Sequence, residues 1–298
     1  MKAPHTLVCG FSLVEMALVL GIIGLLLFFM LPTNTTMMVS QRRSTTIQKL
    51  ANIESALLNY VILNKRLPCP ADGTLLTGAE GTRDGNGDCT TAPVNQGNGV
   101  VPWVTLGMAL NDVLDSWDNQ ITYRVGYGLT RNAALDMSSC DPAGTALETV
   151  QTVAPAVNLG LCRATCTGTF AAANCTSPQN FLQRKGLDVR SNAATTVMNY
   201  TLYTGAAYVL VSHGENGYGA INNNGFYRST AMIGVAGTTL ENANRNLAAT
   251  TVTANAPPSF ISANYNNGSD VTTYFDDIVV KPLLFSVISK AQLGPRSH

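Results

Sequence analysis

Ser212 and His213 are adjacent, and Asp277 follows in the same half of the chain. A serine, a histidine and a carboxylate are the parts of an activated nucleophile. His213 is also the one histidine in the body of the chain, because His5 lies near the start and His298 is terminal. The pattern nevertheless argues against a hydrolase. The G-x-S-x-G turn is absent, and neighbouring residues at a strand end point to opposite faces. No P-loop or dinucleotide-type glycine motif occurs, so the sequence predicts no enzyme and no catalytic residue. A second chemical candidate is D-G-N-G-D-C, Asp84 to Cys89. It opens as D-x-N-x-D, like a calcium loop. Cys89 stands where that loop needs glycine, and no glutamate closes it. A tight Asx-type turn held by a disulfide is the expectation.

Cysteines are the next reactive set: Cys9, Cys69, Cys89, Cys140, Cys162, Cys166 and Cys175. No C-x-x-C spacing suggests zinc. Cys9 lies upstream of a long apolar run; a cut between them leaves six, an even number that fits an oxidising compartment. Cys69 and Cys89 are expected to pair with each other, and the last four allow three connectivities among themselves. Charged residues make up 12% and the formal net charge is zero, about half the usual ~25%. Without a basic excess there is no electrostatic footprint for a nucleic-acid partner.

From Phe11 to Leu31 the only charge is Glu15. About 20 apolar residues suffice for a helix to cross a bilayer, and a carboxylate inside such a run implies a function or a partner. Neither a secretory signal peptide nor a lipoprotein signal fits. The basic start is Lys2 alone, no small-residue cut site follows, and no apolar region precedes Cys9. Arg42, Arg43 and Lys49 lie after the run, so the positive-inside rule does not set its orientation.

The stretch G-F-S-L-V-E, opening this uninterrupted run, resembles the processing site of the type IV prepilin family, which includes type II secretion pseudopilins. Gly10, Phe11 and Glu15 fall at the family's positions, over about a tenth of the chain. The resemblance implies a leader, residues 1–10, removed by a prepilin peptidase that also methylates the amine of Phe11. It implies that Glu15 meets a neighbouring subunit's amine during assembly and that Pro32 bends the helix. It further implies single-pass residence in a bacterial inner membrane with the head outside the cytoplasm, then a periplasmic pseudopilus or a cell-surface pilus. The partners are other pilins or pseudopilins through the N-terminal helix; a surface ligand or secreted cargo is not specified.

The elements that carry these residues follow from periodicity. Ile47, Leu50, Leu57 and Val61 recur at helical spacing, predicting an amphipathic second half of one helix, residues 32–65, after a membrane-spanning or filament-core half, residues 11–31. Pro68 and Pro70 stop it. Together the halves make a helix roughly 80 Å long. Strand-like runs follow at ITYRVGY, AAYVLVS and FDDIVVKPLLFSVI, with SDVTTYF joining them. The expected fold class is α+β and pilin-like. A long N-terminal helix packs on a mainly antiparallel head, residues 66–290, with a tail at 291–298. Residues 132–196 and 234–268 read as loop insertions, the first anchored by disulfides. Trp103, Trp117, Tyr200 and Tyr203 are expected to fill the core.

Two downstream stretches resemble the major-pseudopilin type. DSWDNQITYRV matches at Asp115, Trp117 and Tyr123, with Ser116 and Asp118 replacing Pro and Gly. YVLVSHGENGYGA followed by FDDIVV resembles that group's calcium loop, with Asn216 at the first acidic position and Asp277 at the last. Asp276 is adjacent but out of register. Glu215, Asn216, Asp276 and Asp277 offer hard oxygens for calcium; a turn followed by a strand with acidic caps is the other reading, with no cofactor. The expected function is a minor or tip-proximal structural subunit of a type IV pilus or secretion pseudopilus. The alternatives are a filament-mounted adhesive or cargo-binding module and a membrane-anchored domain that never polymerises.

Overall fold

The computed structural model describes residues 12–90, 98–126, 128–142, 162, 176–231, 238–245 and 259–296; for residues 27–36, 98 and 239 it describes the backbone alone. The elements in chain order are α1 (Leu13–Asn64), β1 (Asn98–Val100), a 3-10 turn (Leu110–Asp112), β2 (Asn119–Gln120), β3 (Thr122–Val125), α2 (Pro178–Leu182), β4 (Asp188–Arg190), β5 (Thr196–Met198), β6 (Tyr208–Ser212), β7 (Ile221–Asn222), α3 (Thr239–Asn242), β8 (Ser259–Ile261), β9 (Ile278–Val280) and α4 (Leu284–Lys290). Two compact units divide the chain, Met1–Ser44 and Thr45–His298.

In the first unit, every described side chain from Ser12 to Leu26 is exposed. Apolar residues point outward all round the helix, from Leu13 (87% exposed) to Leu20 (66%) and Leu26 (55%). The long helix is present, Leu13–Asn64, but the expectation of a membrane-spanning first half is corrected here. Among the described residues no helix is long and apolar enough to cross a membrane. Single-pass anchoring in an inner membrane loses its support with it. Pro32 belongs to residues 27–36, so its side chain, like Gly10 and Phe11, lies outside the described residues.

In the second unit, Leu50, Ile53, Leu57 and Val61 of α1 are fully buried. They pack on Tyr123, Val125, Tyr208, Leu210 and Ile278 of the main sheet. Lys65 leaves the helix with φ 56° and donates its N–H to the Val61 carbonyl (2.7 Å), an αL stop. The main sheet has the order β1-β3-β6-β9 and is antiparallel throughout. Tyr123 pairs with Leu210 across β3 and β6. Alternate residues of these strands face the other way, where Val209 and Val211 pack with Leu187, Val189 and Phe260. Both faces are therefore covered, and β3 and β6 are buried along their whole length, as a strand between two layers must be. The second layer is a three-stranded sheet, β5-β4-β8, in which β4 and β8 run parallel. β2 and β7 form a separate two-stranded ribbon.

Several expectations change. The run from Phe275 to Ile288 is not one strand. It is strand only over Ile278–Val280; Pro282 brings no N–H to a ladder, and α4 follows with Leu284, Val287 and Ile288 buried at helical spacing. Ser269 to Phe275 is a loop: Asp270 Oδ1 accepts the Thr272 N–H (2.8 Å) and its carbonyl accepts the Tyr274 N–H (2.9 Å). Local capping by Asp outweighs the β-propensity of Val, Thr and Tyr. The two loop insertions, where described, are structured, since the first contributes α2 and β4 and the second α3 and β8. Cys69 bonds to Cys89 and Cys140 to Cys162; Cys166 and Cys175 lie outside the described residues. The expected tail is partly packed, with Leu293 buried and its carbonyl accepting the Met137 N–H (2.8 Å).

Candidate metal centre

The residues at the end of β6 and the start of β9 gather the buried polar chemistry of the head. After Ser212 the chain turns through His213-Gly214-Glu215-Asn216-Gly217. The Gly217 N–H closes the turn on the His213 carbonyl (3.0 Å). Gly214 sits at φ +56°, and a Cβ there would lie 2.5 Å from the Asp276 carbonyl oxygen and 2.7 Å from its Cγ. Only glycine allows this approach. The α3 helix supplies the third wall. Thr238 caps it, its hydroxyl accepting the Glu241 N–H (3.1 Å), so Glu241 enters the cluster from the first turn.

Glu241, Asp276 and Asp277 are all buried, and one carboxylate oxygen from each lies within 4.8 Å of the others. Asp276 Oδ2 accepts the Asn216 N–H (2.8 Å) and the Tyr274 hydroxyl (3.1 Å). Asn244 donates to Asp277 Oδ2 (2.8 Å) and to the Ile261 carbonyl (2.8 Å), tying α3, β8 and β9 together. Burial, then the Asp277 and Asp276 carboxylates, push Glu241 up to about 9; burial also raises Asp276. Three negative charges cannot share so dry a space. The cluster must hold a proton or a cation.

The geometry suits calcium. Opposite oxygens around an ion bound at 2.3–2.6 Å stand about 5 Å apart, and three carboxylates offer up to six hard oxygens. The ligand set differs from the sequence expectation. Asp276 and Asp277 both lie in the cluster, joined by Glu241. Asn216 turns its amide nitrogen, not its oxygen, to the carboxylates: its Nδ2 donates to Glu241 Oε1 (3.1 Å) and Oε2 (3.0 Å), while its Oδ1 accepts the Tyr218 N–H (2.8 Å). Glu215 accepts from the Tyr265 hydroxyl instead (2.9 Å). Glu241 was hidden in the stretch read as an insertion; its signal is Thr238-x-x-Glu241, a helix-start pattern.

The other chemical candidates resolve into packing. Ser212 donates to Asp115 Oδ2 (2.8 Å), away from His213. His213 Nε2 lies 2.9 Å from Thr122 Oγ1, and its Nδ1 3.8 Å from Asp277 Oδ1. Burial, then the Arg124 guanidinium, hold His213 down at about 3, hence neutral. The imidazole is fully buried. In D-G-N-G-D-C, Asp84 Oδ1 accepts the N–H groups of Asn86 (2.8 Å) and Asp88 (2.9 Å). Asp88 is gripped at both oxygens by Arg131. That loop is a turn tied by the Cys69–Cys89 bridge.

No family model, no curated protein and no solved structure matches this chain.

Proposed function

We propose that this protein is a subunit of a type IV pilus-like or type II secretion-like filament, cleaved after Gly10 by a prepilin peptidase and assembled through the N-terminal part of α1. The exposure of every described residue from Ser12 to Leu26 carries the reading. A largely apolar helical surface, exposed throughout its described side chains, favours burial against other helices. Leu, Ile and Val side chains each gain on the order of 1.5–3 kcal/mol on full burial. Glu15, among them, needs a positive partner once water is removed, and a cleaved neighbour's amine at Phe11 supplies one. Mass spectrometry of the mature protein is expected to find N-methyl-Phe11, and an intact Met1 would refute the reading. Glu15→Gln is expected to lower the amount recovered in sheared filaments while leaving the cleavage unchanged.

The head of this subunit is proposed to bind calcium through Asp276, Asp277 and Glu241. The ion would neutralise the three carboxylates and fix α3 against the turn after β6. Addition of calcium to the chelator-treated protein is expected to raise its melting temperature, and Asp277→Asn to abolish that rise. A shift of equal size in the variant excludes the site.

A further inference from the structure

A cleft of about 500 Å³ opens between the Arg83–Gly87 turn and the residues after β3, Arg131, Asn132 and Ala134. We propose that this cleft binds a neutral carbohydrate, of mono- or disaccharide size, through its hydroxyl groups. The volume lies in the range of ligand sites, but the lining is unlike the mostly apolar wall of an ordinary small-molecule pocket. Ala134 is its one apolar side chain, so an apolar ligand finds no surface to bury. Charge is balanced as well. Arg131 is bonded to Asp88, and Arg83 stands beside Asp84 in the lining, which gives neither an anion nor a cation an advantage.

What the cleft does offer is paired donors and acceptors. Arg83 Nη1 donates to Asn132 Oδ1 (3.1 Å) and to the Thr130 carbonyl (3.3 Å), both neutral groups. Asp84 uses Oδ1 for the Asn86 and Asp88 N–H groups. Among the described residues, no hydrogen bond engages the carboxamide of Asn86, and Asn86 is exposed. A carboxylate oxygen, two carboxamides and a guanidinium within one cleft match a ligand whose every hydroxyl both donates and accepts. The frame is also fixed before binding. The Cys69–Cys89 bridge anchors the turn, the Thr130 hydroxyl donates to the Gly87 carbonyl (2.9 Å), and Gly87 at φ +90° lets the loop close on Arg131. A rigid site loses little freedom on binding.

The inference does not rest on filament assembly. Full-length protein is applied to an array of neutral mono- and disaccharides, and hits are measured by titration. At least one neutral sugar is expected to bind, and Asn86→Ala and Asn132→Ala each to weaken it by about two- to tenfold, as loss of a neutral hydrogen bond to the ligand does. Gly85→Trp is a second variant that touches none of these groups; a Cβ there meets nothing within 4 Å. It is expected to block the cleft with the melting temperature unchanged. Absence of binding across the array, or binding that survives Gly85→Trp, overturns the proposal.

Discussion

Gly214→Ala tests the closest approach in the carboxylate cluster. At φ +56° an alanine sits in the left-handed region, which disfavours it by roughly 1–2 kcal/mol. Its Cβ would also come 2.5 Å from the Asp276 carbonyl oxygen and 2.8 Å from Asp276 Oδ2. The backbone oxygen cannot swing aside, so the turn or β9 must shift, a penalty of about 1–3 kcal/mol. Together the two effects come to about 3 kcal/mol. A unit of this size loses roughly 2–4 °C for each kcal/mol, so the melting temperature should fall by about 6–12 °C. The same shift moves Asp276 relative to Glu241. Any calcium-induced rise in melting temperature should shrink together with the stability. Differential scanning calorimetry in chelator and in calcium reads both effects. A variant that melts within about 1 °C of the parent, well inside the expected change, and keeps its calcium response would show that the turn does not press on Asp276.

Other perturbations probe the surrounding frame. Burial raises Asp115 from 3.8 to about 6. The folded state therefore keeps a proton that the unfolded chain releases, and this contribution to stability declines as pH rises from about 4 to about 6, by about 3 kcal/mol. Asp115→Asn should remove that part of the slope in urea unfolding at pH 4 and pH 7; an unchanged slope would refute the assignment. Leu57→Ala empties a fully buried site between α1 and the main sheet and is expected to destabilise the head by about 2–5 kcal/mol in denaturant titration. Replacing both Cys69 and Cys89 by alanine opens a loop with sequence separation 20 and should lower stability by about 3 kcal/mol.

The parts of the head legible in the sequence were those with a local signal. TYRV and YVLVS announce β3 and β6 through β-branched and aromatic residues, and Leu50 to Val61 announce a helical face by spacing. The carboxylate cluster was half legible. Asp276 and Asp277 stand before a strand and His213 to Gly217 read as a turn, but Glu241 joins them only through tertiary folding. No period or motif links residue 241 to residue 276. Asn216 was misread for a related reason: sequence gives a carboxamide but not which end faces the carboxylates. The second sheet was missed because β4, β5 and β8 have three residues each, too few to show a period. α4 was misread because Leu, Phe, Val and Ile serve a buried strand and a buried helix face alike.

The parallel pair of β4 and β8 has a consequence for how this chain can vary. Asp188, Val189 and Arg190 are matched to Ser259, Phe260 and Ile261, so the two stretches that look like separate additions complete one another. Val189 and Phe260 together cover Val209 and Val211 of the main sheet. Deleting either stretch would leave the other with an open strand edge and the far side of β6 bare to water. The two are one module split in sequence, to be gained, lost or transplanted only as a pair.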